Sequence, residues 1–174
     1  QTPVNVSDGW NQLPSCFARA DNGWAQGMCR MDCFLKNTYE ITSPLHNITA
    51  RTQITGHRFL DNEWTAQEIE FGRKVYVVIN EKAGEIVYQS RYGGKVVLPR
   101  FGFLIESPEY IAFHALQWHG LTYKQPVLFT IRSLDGKPIH ESKKVRIYHG
   151  FGDSKVKIGD RTISIKREAV VSAG

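Results

Sequence analysis

The apolar residues of this chain switch to a spacing of two after Gly56, and that switch constrains the fold more than any other feature. Short runs rich in β-branched and aromatic residues follow one another, and turns containing glycine separate them. The runs that we predict to be strands are 74–80, 85–88, 95–99, 102–106, 110–115, 127–134, 144–149 and 161–166. No helix-length segment lies between these runs, which disfavours a parallel α/β sheet. The sequence therefore predicts a mainly β fold, specifically an antiparallel β-sandwich.

The part of the chain before residue 56 shows helical spacing instead. Within residues 24–39, apolar side chains recur at steps of three and four, which predicts an amphipathic helix. These side chains are Met28, Met31, Phe34, Leu35 and Tyr39. Ser43-Pro44 then looks like a helix N-cap followed by proline in the first turn, so a second short helix is expected to reach about Thr52. Because proline inside a helix removes a backbone donor, we expect a break or kink at this point.

These two patterns divide the 174 residues into two parts. Residues 1–55 are expected to form an irregular N-terminal segment with one or two helices, and residues 56–174 are expected to form the antiparallel sandwich. A chain of this length suits a single domain with an appendage. No segment is long and apolar enough to predict a transmembrane helix, so no membrane partner is expected.

The chain is basic, with a formal net charge of +5 and a pI of about 9.2, which raises the question of nucleic-acid binding. Lysine and arginine residues are scattered in ones and twos beside apolar residues, as at Arg73-Lys74 and Lys166-Arg167. That distribution is typical of solvated outer strand faces rather than of a basic binding stripe. No nucleic-acid partner is predicted.

The three cysteines leave the redox state of the chain open. Cys29 and Cys33 are four residues apart on the predicted helix and therefore share one face. A disulfide between Cys16 and one of them and a set of buried free thiols are both compatible with the sequence. The histidines, among them His114 in a strand and His119 in the turn after it, are better explained by packing or capping than by ligation. Because no cysteine–histidine zinc spacing occurs either, no metal site and no cofactor are predicted.

A glycosidase site would need two carboxylates that face each other across a sugar. The acidic residues considered for such a pair are Glu63, Glu68, Glu70, Glu106, Glu109 and Asp153. Glu68 and Glu70 flank Ile69 in a strand and share one face, but their polar neighbours favour solvent-exposed side chains over a buried acid–base pair. The sequence also contains no nucleophile motif and no phosphate-binding glycine loop. No catalytic residue is predicted.

Aromatic side chains provide the main binding signal, because the CH-rich faces of sugars stack on aromatic rings. Trp118 falls in a predicted connection between strands, and Tyr123 follows it closely. Trp64 completes the predicted carbohydrate-binding set, and Tyr92 is a lesser candidate. The competing interpretation is that a tryptophan at the rim of a sandwich closes the core rather than holding a ligand.

Three segments carry a resemblance to a known group of proteins: 55–60, 102–115 and 128–138. Together they resemble the C-terminal β-sandwich region of large secreted bacterial glycoside-hydrolase-like proteins of the endo-α-N-acetylgalactosaminidase type, over roughly residues 30–171. The resemblance implies that a (β/α)₈ barrel upstream would carry the catalytic carboxylates, with residues 24–52 as its last helical part or connector. It also implies a location outside the cell or at the exterior of the cell envelope.

Three functions are compatible with these observations. The first is a non-catalytic accessory sandwich that packs against the catalytic barrel of a parent protein or against another chain. The second is a stand-alone carbohydrate-binding module. The third is a structural or adhesive protein that associates through the apolar stripe of the predicted helix 24–39.

Overall fold

The structure is a computed structural model, and it describes residues 15–18 and 27–172. Within these residues the chain forms a long helix, α1 (Arg30–Thr49), two short 3₁₀ turns (Ser15–Ala18 and Ile139–Glu141) and twelve strands. The strands are β1 (Ile54–Phe59), β2 (Ala66–Phe71), β3 (Val75–Asn80), β4 (Ile86–Ser90), β5 (Gly94–Leu98), β6 (Gly102–Glu106), β7 (Tyr110–Trp118), β8 (Leu121–Ser133), β9 (Val145–Phe151), β10 (Lys155–Ile158), β11 (Arg161–Ser164) and β12 (Glu168–Val171). The predicted class, a mainly β antiparallel fold preceded by a helical segment, is confirmed.

Ten of these strands belong to one antiparallel sheet. Eight strands run side by side in the order β1-β2-β3-β6-β7-β8-β9-β12, and the β4–β5 hairpin joins the sheet through the pairing of β5 with β7. The β10–β11 hairpin forms a separate two-stranded sheet. Strand β7 therefore pairs with β6 along its first half and with β5 near its end, which lets the hairpin fold over the main sheet.

Each face of the main sheet packs into its own core, because side chains alternate between the two faces along every strand. One face carries a cross-strand row that continues from β3 to β8, here called the inner row. The inner row consists of Val78, Leu104, Phe113 and Phe129. The β4–β5 and β10–β11 hairpins cover this face and bury residues such as Val96 and Val156 against it. The result is a sandwich-like arrangement in which two hairpins form the second layer.

The opposite face of the sheet packs against α1. Ile41 of the helix is buried against Val77, Ile105 and Ala112, so the helix and the sheet share one core. Arg146 of β9 forms a two-point ion pair with the buried Glu40 of α1, at 2.6 and 3.0 Å. None of the helices in the described part of the chain is long and apolar enough to cross a membrane.

Helix α1 continues through Pro44, so the prediction of a second helix that begins at Ser43-Pro44 is wrong. The prediction rested on the backbone donor that proline lacks. The carbonyl of Glu40, four residues earlier, instead accepts a hydrogen bond from the hydroxyl of Tyr110 on the sheet. Tertiary packing therefore replaces the missing partner and keeps the helix whole.

Two parts of the predicted strand pattern also change. Strand β7 extends through Trp118, and strand β8 begins at Leu121. Most of the region predicted as a connection is therefore part of a hairpin with a two-residue turn. A β-bulge between Ala115 and Gln117 shifts the register of β7, and for this reason Ala115 and Trp118 both face the inner core although they are three residues apart. Strands β1, β10 and β12 were not predicted.

Candidate functional site

Two buried glutamates lie on the inner face of the sheet, close to the β4–β5 hairpin. Glu106 of β6 has no solvent-accessible surface, and Glu68 of β2 is only 6% exposed. The prediction of a solvent-exposed side chain is therefore wrong for Glu68, whereas Glu70 is half-buried. Glu68 and Glu106 are buried because the β4–β5 hairpin covers them. The alternation of side chains within β2 does not predict this contact, since the hairpin lies later in the sequence.

The hairpin supplies the hydrogen-bond donors that both carboxylates need. Arg91 donates from Nη1 to Glu106 Oε1 at 2.8 Å and from its backbone nitrogen to Glu106 Oε2 at 3.0 Å. Ser90 Oγ also donates to Glu106 Oε2, at 2.6 Å. The hydroxyl of Tyr88 donates to Glu68 and accepts from Arg91 Nη1 at 2.6 Å. One arginine therefore connects the two acidic groups.

The electrostatics of Glu68 are those of an ion pair rather than of a catalytic acid. Burial alone would raise the pKa of Glu68, but hydrogen bonds from Arg58 and Tyr88 outweigh it and lower the pKa below its ordinary value. Arg58 contributes a two-point contact at 2.9 and 3.1 Å. A glycosidase acid needs the opposite shift, because it must hold its proton near neutral pH. The contacts of Glu68 with Tyr88 and of Glu106 with Arg91 attach the β4–β5 hairpin to the main sheet.

The predicted sugar-binding residues Trp118 and Tyr123 lie in the inner core. Trp118 is 2% exposed, and its ring stacks on Phe113 with centroids 4.5 Å apart. Its Nε1 donates to the carbonyl of Lys157 at 3.1 Å, and the hydroxyl of Tyr123 donates to the carbonyl of Lys155 at 3.0 Å. Both residues fasten the β10–β11 hairpin to the main sheet. Both side chains are consequently almost fully covered, which corresponds to the competing interpretation of a core lid.

Trp64, the third predicted residue, lies far more open to solvent. It is 73% exposed in the turn between β1 and β2, with a left-handed backbone φ of 59°. Its ring lies 5.9 Å from that of Phe59, which in turn contacts His57 at 4.9 Å. The structure does not bring Trp64 together with Trp118 and Tyr123.

A cleft of about 310 Å³ opens at one end of the inner face, and we call it the Tyr92 cleft. Its floor contains Trp118 and the apolar side chains Ile111, Ile131 and Ile158. Polar groups surround this floor. They are Tyr92, His119, His140, Lys157 and Asp160. An apolar floor with a few convergent polar groups is the usual composition of a small-molecule site.

The local backbone explains how polar residues reach the rim of this cleft. His119 adopts a positive φ of 48° in the two-residue turn after β7, a conformation that is uncommon outside glycine. Its backbone nitrogen donates to the carbonyl of Gly93 at 3.0 Å, which ties the β7–β8 turn to the β4–β5 turn. Tyr92, next to Gly93, is 38% exposed. Two turns that are distant in sequence therefore form one wall.

Sequence reasoning found part of this cleft. Trp118 was the leading candidate and Tyr92 a lesser one, and both line the cleft, although Trp118 does so from the floor. His140, Lys157 and Asp160 were missed as binding residues. The glycine-containing turns near these residues could have predicted them, because the loops at one end of a sandwich form a common surface that often carries a binding site.

His114 and Cys33 are buried, which is consistent with packing roles. His114 contacts the ring of Phe151 at 5.6 Å, and its Nδ1 lies 3.2 Å from the carbonyl oxygen of Phe101. Cys29 is an exposed free thiol and Cys33 a buried one, while the side chain of Cys16 lies outside the described residues. Among the described residues, no group of three or more His, Cys, Asp or Glu side chains is arranged to hold a metal ion.

No protein family, curated protein or solved structure matches this chain. The resemblance to the C-terminal sandwich of glycoside-hydrolase-like proteins therefore stays a prediction.

Proposed function

We propose that this chain is a non-catalytic domain that binds carbohydrate and that the Tyr92 cleft is its binding site. The observation that carries the proposal is the composition of the cleft, in which an apolar floor is ringed by a phenol, two imidazoles, an amine and a carboxylate. A sugar ring presents an apolar CH face together with a rim of hydroxyls, and such a cleft complements both. Its volume of about 310 Å³ lies at the small end of the range for ligand pockets, which suits one or two sugar units.

The phenol of Tyr92 is well suited to contact sugar hydroxyls. Burial and the nearby charge of Glu106 raise the pKa of Tyr92, so its hydroxyl stays protonated at neutral pH. It can then donate one hydrogen bond and accept another. Asp160 supplies an acceptor and Lys157 a donor at the same cleft. Together these groups match the mixed donor and acceptor pattern of a carbohydrate.

The placement of the carboxylates supports a role in binding rather than in hydrolysis. Asp160 is the single carboxylate among the described residues that line the cleft, whereas glycosidases act with a pair. Glu68 and Glu106 do not line it, and each forms an ion pair with an arginine at the β4–β5 hairpin side of the sheet. A purified chain that hydrolyses glycosides robustly would refute the non-catalytic assignment.

A second part of the proposal concerns the parent protein. Leu35 and Tyr39 lie one turn apart on the outer side of α1 and are more than half exposed. Met28, just before the helix, is also exposed. We propose that this surface packs against the catalytic barrel of a secreted glycoside-hydrolase-like parent or against another chain, as the resemblance implies. Light scattering on wild type and on the double variant Leu35→Glu/Tyr39→Glu measures self-association. A dimer that forms in wild type and not in the variant would show that this surface contacts a second copy of the chain. A monomer in both cases would favour the catalytic barrel as the partner.

The test of the cleft is a glycan-array screen of the purified chain, followed by calorimetry with the glycan that binds best. Tyr92→Ala and Asp160→Ala are expected to weaken binding about tenfold or more, since each removes a contact worth roughly 1.5 kcal/mol. Trp64→Ala is the matched control, because it removes an exposed aromatic ring that does not line the cleft. Loss of binding in Trp64→Ala alone would move the site to the β1–β2 turn. Absence of binding to any glycan would refute the proposal.

A further inference from the structure

A second, smaller cavity of about 140 Å³ lies between α1 and the outer part of the sheet, and we call it the Arg132 pocket. Its lining consists of Tyr39, Glu40, Ser43, Pro44, Arg132 and Arg146. The helix contributes the first four of these residues, and the neighbouring strands β8 and β9 contribute the two arginines. The pocket is separate from the Tyr92 cleft, since the two have no lining residue in common.

The two arginines lie directly opposite each other in the β8–β9 ladder. Like charges at opposite positions of an antiparallel pair repel and destabilise the sheet. Arg146 is compensated, because it donates two hydrogen bonds to Glu40 and a third to Glu168 at 2.7 Å. Arg132 has no hydrogen-bond or ion-pair partner among the described residues, although its Nε is buried.

An unpaired buried guanidinium nitrogen is costly in a folded protein. Leaving such a donor without an acceptor costs roughly 1–3 kcal/mol and more for a charged group, so each case in a native fold calls for an explanation. The one carboxylate that lines the pocket is already engaged, since Glu40 accepts from both Arg146 and Lys36. No hydrogen bond to Arg132 Nε comes from the residues that the structure describes, and a bound ligand can supply the missing acceptor.

The charges around the pocket favour an anion as that acceptor. Arg132, Arg146 and Lys36 contribute three positive charges, while Glu40 and Glu168 contribute two negative charges, which leaves one positive charge. Hydrogen bonds to Glu40 raise the pKa of Arg146, so its guanidinium keeps its positive charge.

We propose that the Arg132 pocket binds a single oxyanion group, a carboxylate, sulfate or phosphate, through the guanidinium of Arg132 and the hydroxyl of Ser43. The planar guanidinium matches such a group with two parallel hydrogen bonds, which is the reason arginine dominates sites of this kind. The exposed ring of Tyr39 at the rim provides an apolar surface for whatever carries the anion. The oxyanion comes either from a free inorganic ion or from an acidic saccharide whose ring rests on Tyr39.

The Nε–H signal of Arg132 in a ¹⁵N-correlated NMR spectrum of the whole chain reports on the pocket directly. Titration with sodium sulfate and with sodium phosphate, against sodium chloride at equal ionic strength, is expected to shift this signal saturably. Glucuronic acid and a sulfated monosaccharide, each compared with its neutral counterpart, distinguish the two sources. Tighter binding of the acidic sugar than of the free ion assigns a saccharide, and equal binding assigns the ion alone.

Substitutions at the pocket complete the test. Arg132→Gln is expected to weaken anion binding about tenfold or more, in keeping with the loss of charge-assisted hydrogen bonds. Arg132→Lys keeps the charge without the planar fork and is expected to fall in between. Arg51→Gln, an exposed arginine outside the pocket, is the control and should bind like wild type. An Arg132 Nε–H signal that none of the probes shifts, or equal anion binding by Arg132→Gln and wild type, would overturn the proposal; circular dichroism establishes that the variants are folded.

Discussion

The hydroxyl of Tyr110 lies 3.0 Å from the carbonyl oxygen of Glu40 and 2.9 Å from that of Ile41, and it donates its proton to this pair. In a regular helix the Glu40 carbonyl would accept from the backbone nitrogen of residue 44, but Pro44 has no N–H. A strand residue 70 positions away in sequence therefore completes the hydrogen bonding of the helix.

Removal of this hydroxyl is expected to weaken the attachment of α1 to the sheet. Tyr110→Phe leaves the Glu40 carbonyl without a donor in a buried environment, and we expect it to lower the free energy of unfolding by about 1–2 kcal/mol. Chemical denaturation of wild type and variant measures the difference. The diagnostic control is Pro44→Ala, which restores the missing backbone donor.

The two substitutions should not be additive. In the Pro44→Ala background, Tyr110→Phe is expected to cost less, because Glu40 then has a partner within the helix. A double-mutant cycle with no coupling between the two positions would show that the Tyr110 hydroxyl does not replace the donor that Pro44 lacks.

The ion pair between Arg91 and Glu106 predicts that the substitution of Arg91 costs more stability than the substitution of Glu106. Glu106 has no solvent-accessible surface, whereas the side chain of Arg91 is 36% exposed. Arg91→Met should leave a buried carboxylate without its counter-ion and lower the free energy of unfolding by about 4 kcal/mol. Glu106→Gln should cost about 2 kcal/mol, since Arg91 keeps part of its hydration.

Denaturant unfolding of both variants checks this order. Glu63→Gln, an exposed glutamate in the β1–β2 turn, serves as the control and should change stability by no more than about 0.5 kcal/mol. Equal losses for Arg91→Met and Glu106→Gln would contradict the inferred difference in solvation of the two charges.

The dependence of stability on pH follows from Glu40 and Glu68. Burial alone would raise both pKa values, but hydrogen bonds from arginines and their neighbours hold both below the ordinary value. A carboxyl whose pKa is lower in the folded chain stabilises the fold above its unfolded pKa of about 4.3, and this stabilisation is lost as the pH falls through the folded pKa. The chain should therefore lose stability progressively below about pH 5.

Glu40→Gln should flatten this acid-induced loss and should also lower stability at pH 7. Urea unfolding at a series of pH values between 7 and 3 measures both effects. A variant with the acid dependence of wild type would show that the Glu40 pairings with Arg146 and Lys36 contribute no pH-dependent stability.

Strand periodicity predicted most of the sheet because it depends only on neighbouring residues. It identified β6 at its observed bounds and assigned Glu68 and Glu70 to one face of a strand. It could not predict what covers that face, since Tyr88 and Arg91 lie 20 and more residues further along the chain. The burial of Glu68 depends on this long-range cover.

Trp118 illustrates the same limit at the candidate site. Its two-residue turn and the preceding bulge decide which face it occupies, and neither follows from regular alternation. The continuity of α1 through Pro44 is a third case, because the compensating donor comes from β7. For Glu68 and Pro44 a contact distant in sequence changed the consequence of the local pattern, whereas for Trp118 a bulge and a tight turn did so.

Gly93 of the β4–β5 turn packs directly against Trp118, which lines the Tyr92 cleft. A β-carbon at this position would overlap the ring of Trp118, whereas Gly84, in the turn before the same hairpin, has open space in that direction. Gly93→Ala is therefore expected to displace Trp118 and lower the free energy of unfolding by about 1–3 kcal/mol, with a change in tryptophan fluorescence. Gly84→Ala should leave both unchanged. Because Tyr92 neighbours Gly93, displacement of this turn should also weaken glycan binding. A Gly93→Ala variant with the stability and fluorescence of wild type would contradict the close packing of Trp118 under the hairpin.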